Sequence, residues 1–184
     1  MNRRHFVSAS LGALAAAAVS PTRLLAQERC GPLTEPNVEG PFYRRDAPFR
    51  AAIGSGLSIS GVVRDSRCRP MRDAVMEIWQ ASPEGEYDLS GDGFRARLRT
   101  NAQGAYELLT SFPGHYRNGG TYRPAHIHVK VHANGRPPLT TQLYFPRDPH
   151  NDRDPWFRSS LVVGLGPPPC CHPSTRHARF DFVV

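Results

Sequence analysis

The stretch Arg123-Pro124-Ala125-His126-Ile127-His128-Val129-Lys130-Val131 reads as a β-strand, since β-branched residues alternate with polar ones and side chains on a strand alternate faces. His126 and His128 therefore share one face, and Ile127 and Val129 share the other. Two imidazoles aimed together from a rigid strand are a natural half of a metal site, because neutral imidazole is the commonest metal ligand. The pair alone would sit equally well on a polar outer surface or as satisfied core histidines. Other parts of the chain have to supply the other half.

Outward from this strand, similar short apolar runs recur at about 57–64, 74–80, 105–111, 139–145, 159–163 and 178–184. Between them lies turn chemistry such as Asp65-Ser66-Arg67-Cys68-Arg69-Pro70, Ser82-Pro83-Glu84-Gly85, Asn101-Ala102-Gln103-Gly104 and Asn134-Gly135. Residues 30–56 form an irregular arm, and Asp148 to Phe157 has room for a single helical turn. Roughly seven short strands at hairpin spacing predict an all-β chain, a β-sandwich with an irregular N-terminal arm.

Residues 1–26 read as an address. Arg3-Arg4 precedes an Ala- and Leu-rich run ending at Val19, and Leu24-Leu25-Ala26 offers a small residue for cleavage. The Arg-Arg-His-Phe-Val order resembles the twin-arginine type, which exports folded proteins and so allows a metal to be loaded first. The expectation is a signal peptide at 1–26 and one domain at 27–184, exported to the periplasm or beyond, without stable membrane insertion.

Removing residues 1–26 takes away Arg3, Arg4 and Arg23 and no acid, so the net charge falls from +7 to +4. Arginines and acids are interspersed, and Lys130 is the only lysine, which argues against a nucleic-acid binder. Cys30, Cys68, Cys170 and Cys171 suit disulfides in an oxidising compartment; Cys30 to Cys68 is one plausible bridge, and no spacing fits a cysteine metal centre.

Two further segments carry chemistry. Trp79 to Asp88 runs from a strand into a Pro/Gly turn ending on Tyr87, and Phe112-Pro113-Gly114-His115-Tyr116 repeats the device. Singly, each tyrosine reads as a turn-packing aromatic. With His126 and His128 they make two phenols and two imidazoles, a set that suits Fe(III) far better than zinc or copper(I).

The stretches Glu39-Gly-Pro-Phe-Tyr43, Ile78-Trp-Gln80, Gly85-Glu-Tyr87, Pro113-Gly-His-Tyr116, Arg123-Pro-Ala-His-Ile-His128 and Thr141-Gln-Leu-Tyr-Phe-Pro146, in this order, resemble the intradiol ring-cleavage dioxygenases. That family includes catechol 1,2- and protocatechuate 3,4-dioxygenases. The resemblance implies a transthyretin-like (Ig-like) β-sandwich carrying a non-haem Fe(III) held by Tyr87, Tyr116, His126 and His128, with Tyr116 axial and Tyr87 equatorial. It implies a small catechol-type substrate, O2 as co-substrate, and ring opening between the two hydroxyl-bearing carbons to a muconate-type diacid. Tyr116, once released, would accept a proton. Arg123 and Gln142 would face the substrate, and Val38, Pro41 and Tyr43 would line its pocket from the arm.

The chain lacks the helical N-terminal region through which the catechol enzymes dimerise, so a homo-oligomer is left open. His115, His132, His150, His172 and His177 have no motif support and are expected to be solvated or packing residues. Two other readings stand beside the enzyme: a non-catalytic transthyretin-like binding module, and a degenerate homologue that only sequesters iron or catechols.

Overall fold

A computed structural model describes residues 30–167 and 175–184. The expected signal at 1–26, Cys170, Cys171 and His172 lie outside the described residues.

One sheet is built on β1 (Leu57–Arg64), which pairs antiparallel with β4 (Ala105–Thr110). On its other side β1 runs parallel to β10 (Arg176–Arg179) along Leu57 to Ser60 and to β11 (Phe182–Val183) at Val63 and Arg64. The short β9 (Gly164–Gly166) extends the sheet beyond β10. The second sheet is antiparallel throughout: β3 (Arg95–Arg99), β2 (Val75–Gln80), β7 (His126–His132) and β8 (Leu139–Tyr144), in that order. A two-residue hairpin, β5 (Arg117–Asn118) and β6 (Thr121–Tyr122), stands between Tyr116 and Arg123. This is the β-sandwich that the strand pattern predicts.

Alternation decides what each face does. Ile127, Val129 and Val131 of β7, Met76 and Ile78 of β2, Ala96 and Leu98 of β3, and Leu143 of β8 turn inward. They meet Leu57, Ile59, Val63, Tyr106 and Leu108 of the first sheet in one apolar core. Each large aliphatic side chain buried there contributes about 1.5–3 kcal/mol. The opposite face of the second sheet carries His126, His128, Trp79, Gln142 and Arg95. Register aligns Arg95, Trp79, His128 and Gln142 in one row across the four strands, with His126 beside Tyr144.

That outer face is nevertheless dry. His126 and His128 are each only 2% exposed because the arm and three loops lie over them. The arm is irregular, as predicted, but well anchored. Thr34 N bonds Val183 O (2.9 Å), Asn37 N bonds Thr140 O (2.8 Å), and Ile53 N bonds Leu109 O (2.9 Å). A Cys30–Cys68 disulfide ties its start to the turn after β1.

Three expectations change. Arg95–Arg99 is a strand the sequence reading passed over, because its outward residues are three arginines; the inward Ala96 and Leu98 supply the period of two. The run at 159–163 forms a 3-10 turn at Ser159–Leu161, which buries only Leu161. The run at 178–184 is two strands, broken at Phe180 and Asp181, where the chain passes from one half of β1 to the other. The single turn expected between Asp148 and Phe157 is the 3-10 turn Asn151–Arg153.

Candidate metal centre

The two tyrosine-bearing loops are fastened backbone to backbone. Gly114 N donates to Ser82 O (2.9 Å). A Cβ at Gly114 would lie 2.3 Å from Pro83 O, and one at Gly85 (φ +88°) would lie 2.3 Å from His115 O. Only glycine allows that approach. It brings Tyr87 and Tyr116 edge to face, with ring centroids 5.5 Å apart.

The histidine strand completes the group. The Tyr87 hydroxyl lies 3.3 Å from His126 Nε2, and the Tyr87 and His128 rings are 6.3 Å apart. His126 Nδ1 donates to Pro124 O (2.6 Å), so its Nε2 carries the free lone pair. His128 lies flat on Trp79 (4.8 Å, 7°), and its Nδ1 is buried without a hydrogen-bond partner. Phe42, from the arm, stacks on Tyr87 (4.2 Å, 15°) and meets Tyr116 edge-on (5.2 Å). All four residues singled out as ligands therefore sit in one cluster over the outer face of the second sheet, three of them buried and Tyr116 half-buried.

The surroundings keep both histidines in the neutral form that a metal ligand requires. Burial first, and then the Arg123 charge, lowers His126 to about 4. Burial and neighbouring His126 hold His128 well below the ordinary histidine value. Both rings are thus neutral at pH 7 and need lose no proton to coordinate. Burial raises Tyr87, so metal entry has to displace its proton. Among the described residues no group of three or more His, Cys, Asp or Glu could hold a metal. Two phenols, two neutral imidazoles and an unpartnered buried nitrogen fit a hard, highly charged ion.

Arg123, 7% exposed, is fully engaged beside this cluster. Its Nη2 donates to Gln142 Oε1 (2.8 Å) and Asp154 Oδ2 (2.8 Å), and its Nη1 lies 3.3 Å from His126 Nε2. Its plane covers the Trp156 ring at 4.6 Å. Gln142 uses the other end of its amide on Val38 O (2.8 Å), and the Tyr144 hydroxyl lies 3.0 Å from Gln142 Oε1. Gln142 is thus a brace between Arg123 and the arm.

Of the arm residues, Val38 and Pro41 are exposed, and Val38 reaches the site through its carbonyl. Tyr43 packs on Trp79 (5.0 Å) and donates to Glu77 Oε2 (2.5 Å), which places it behind the Trp79–His128 stack. Lys130 covers the Tyr43 ring at 4.0 Å and pairs with Glu39. His115 contacts Asp148, His132 contacts Glu77, and His177 contacts Ser60.

Asp154, Trp156, Phe42 and Tyr144 were not anticipated. Tyr144 was within reach of sequence reasoning, because it stands two residues after Gln142 on the same strand face. Asp154 had no signal, since its pairing with Arg123 spans 31 residues and follows no period.

Comparison with known proteins now bears on this arrangement. The family profile described as Dioxygenase matches residues 38–183. A chlorocatechol 1,2-dioxygenase from Pseudomonas sp. (strain P51) is 30% identical over 161 residues, covering 73% of this chain and 62% of that protein. The chain thus spans less than two thirds of that relative's length. The dioxygenase domain of a dioxygenase carbohydrate-binding protein fusion from Streptomyces sp. SirexAA-E superposes with a TM-score of 0.76 at 37% identity, covering 83% of this chain and 98% of that one. Hydroxyquinol 1,2-dioxygenase from Pseudomonas putida DLL-E4 superposes at 0.74 and 26%, covering 82% and 66%. With a profile match over most of its length and the Tyr, Tyr, His-x-His order gathered in space, this chain belongs to the intradiol ring-cleavage dioxygenase family.

Proposed function

We propose that the chain binds one non-haem Fe(III) through Tyr87, Tyr116, His126 and His128 and cleaves a catechol-type ring between its hydroxyl-bearing carbons. The observation that carries this reading is the convergence of those four donors beside a buried, fully braced Arg123. Both atoms of O2 enter the product, a muconate-type diacid, so the reaction balances without an added reductant. Bound there, Fe(III) would supply Lewis acidity, drawing electron density through the bound catecholate and exposing the ring to O2.

The chain's own residues have separable tasks. Tyr87 is the more buried phenol, held between Phe42 and the histidines. Tyr116 is half-buried and heads the exposed β5–β6 hairpin, so of the two phenols it would be the one to take the catechol proton. Arg123 is permanently cationic and held by Asp154, Gln142 and Trp156 at a fixed angle. Its charge would stabilise negative charge developing on the ring. Trp79 holds the His128 ring in a parallel stack against its own.

Export is part of the same reading: the twin-arginine-like residues 1–26 and the Cys30–Cys68 disulfide are both at home in an oxidising compartment. An oxygen-consumption panel with catechol, protocatechuate, hydroxyquinol and chlorinated catechols on Fe(III)-loaded protein tests the activity. Uptake with at least one of them, with a ring-opened diacid as product, is expected. An iron-loaded protein inert to all of them would leave only the scaffold.

A further inference from the structure

Arg95 is buried to 2% exposure on the outer face of the second sheet, in the same row as Trp79 and His128. Its Nη1 donates to Phe42 O (2.7 Å), its Nη2 to Asp88 O (3.0 Å), and its Nε is buried without a partner. Among the described residues no carboxylate lies in ion-pair contact with it; Asp88 and Asp92 act on it only from farther away. A buried guanidinium without a carboxylate is expensive, and a neutral side chain of similar length would fill the space at lower desolvation cost. Its value therefore lies in its fork of donors.

The two carbonyls that the fork holds flank one ring. Asp88 follows Tyr87 in the chain, and Phe42 is the residue whose ring stacks on Tyr87 at 4.2 Å. Arg95 itself is immobilised: its carbonyl accepts from Arg50 Nε (3.0 Å) and Nη2 (2.8 Å). The loop beyond is closed by the Asp88 carboxylate, which accepts from Ser90 N (2.9 Å), Gly91 N (2.7 Å) and Gly93 N (2.8 Å).

We propose that Arg95 is a positioning residue for Tyr87, clamping the arm at Phe42 and the loop at Asp88 so that the phenol is held at one angle toward the metal. This rests on the reading of Tyr87 as an iron ligand, and it assigns a task to a residue that touches neither substrate nor metal. Groups that orient a metal ligand from behind typically matter 10–100-fold in metal affinity.

The test uses full-length protein carrying Arg95→Lys, Arg95→Met or Phe42→Leu, loaded with Fe(III). Three quantities are read: the tyrosinate-to-Fe(III) charge-transfer absorption, the rate of iron loss to a chelator, and the melting temperature of the iron-free protein. Both Arg95 variants are expected to shift the absorption and release iron about 10–100-fold faster. Lysine does not rescue, because one ammonium cannot reproduce the two-pronged grip. Phe42→Leu, which leaves the fork in place but removes the stack, shifts the absorption as well. A merely structural role would lower the melting temperature of the iron-free protein and leave the absorption unmoved, and that result overturns the clamp. Should neither Arg95 variant fold, Phe42→Leu decides, and wild-type absorption and release rate in that variant overturn it. Absence of the absorption in the wild type overturns the iron reading and the clamp together, whereas a normal wild-type absorption with unmoved variants overturns the clamp alone.

Discussion

Asp154→Asn isolates the electrostatic support of the site while keeping its shape. The Asp154 side chain has no exposed surface, and the side chain of its partner Arg123 is 8% exposed, with N···O 2.8 Å. In so dry a setting the carboxylate is, among the described residues, the one ion-pair partner of a guanidinium that also faces His126 Nε2. Asparagine still accepts from Trp156 N through Oδ1, so the local turn survives. Breaking one side of a buried pair typically costs about 3–5 kcal/mol, because the remaining charge stays buried without compensation. At roughly 2–4 °C per kcal/mol for a domain of this size, the melting temperature of the iron-free protein should fall by about 10 °C. Urea unfolding of the single variants and of Asp154→Asn with Arg123→Met measures the coupling. The double variant should be more stable than Asp154→Asn alone, since no buried charge is left. A loss below about 1 kcal/mol for Asp154→Asn, the range of an exposed pair, would falsify this account of how Arg123 is held.

Three other outcomes follow from the same geometry. Tyr116→Phe should keep iron and lose turnover, read as iron content against oxygen uptake, because it removes the oxygen assigned to take the substrate proton. His128→Ala should lose the iron, measured by metal analysis after dialysis; full retention would contradict the ligand assignment. The iron-free protein should be most stable above pH 6.5 and weaken as pH falls toward 4. His126 is lowered to about 4 by burial, so between those values the unfolded chain binds the proton and the folded chain does not. That difference is worth about 3 kcal/mol for His126 alone, and His128 adds in the same direction. Melting temperatures across pH 4–8 check it, and a flat profile through that window would contradict the buried, neutral state of both rings.

Much of this site was legible because a strand's period is two. His126 and His128 share a face on any strand, and the Gly/Pro turns at 82–85 and 112–114 announce loops that end on Tyr87 and Tyr116. The alternation also identified the core face, and with it the sandwich. It could not say what covers the other face. The four donors gather where the end of β2 meets the start of β7, roofed by the arm. That roof depends on contacts such as Phe42 on Tyr87 and Asn37 N on Thr140 O, which join residues far apart in the chain and leave no local pattern. Asp154 and Arg95 were opaque for the same reason: each acts by pairing across the fold. Gln142 also braces Arg123 against the arm, a use of its amide that its place on the strand did not reveal.

The most direct measurement is a titration of Fe(III) into the iron-free protein, followed by visible absorption, for the wild type and for Tyr87→Phe and Tyr116→Phe. The wild type should saturate at one ion per chain with a tyrosinate charge-transfer band, and each phenylalanine should alter that band separately. Stoichiometric iron uptake without the band, or a band indifferent to both substitutions, would contradict a centre built from these two phenols.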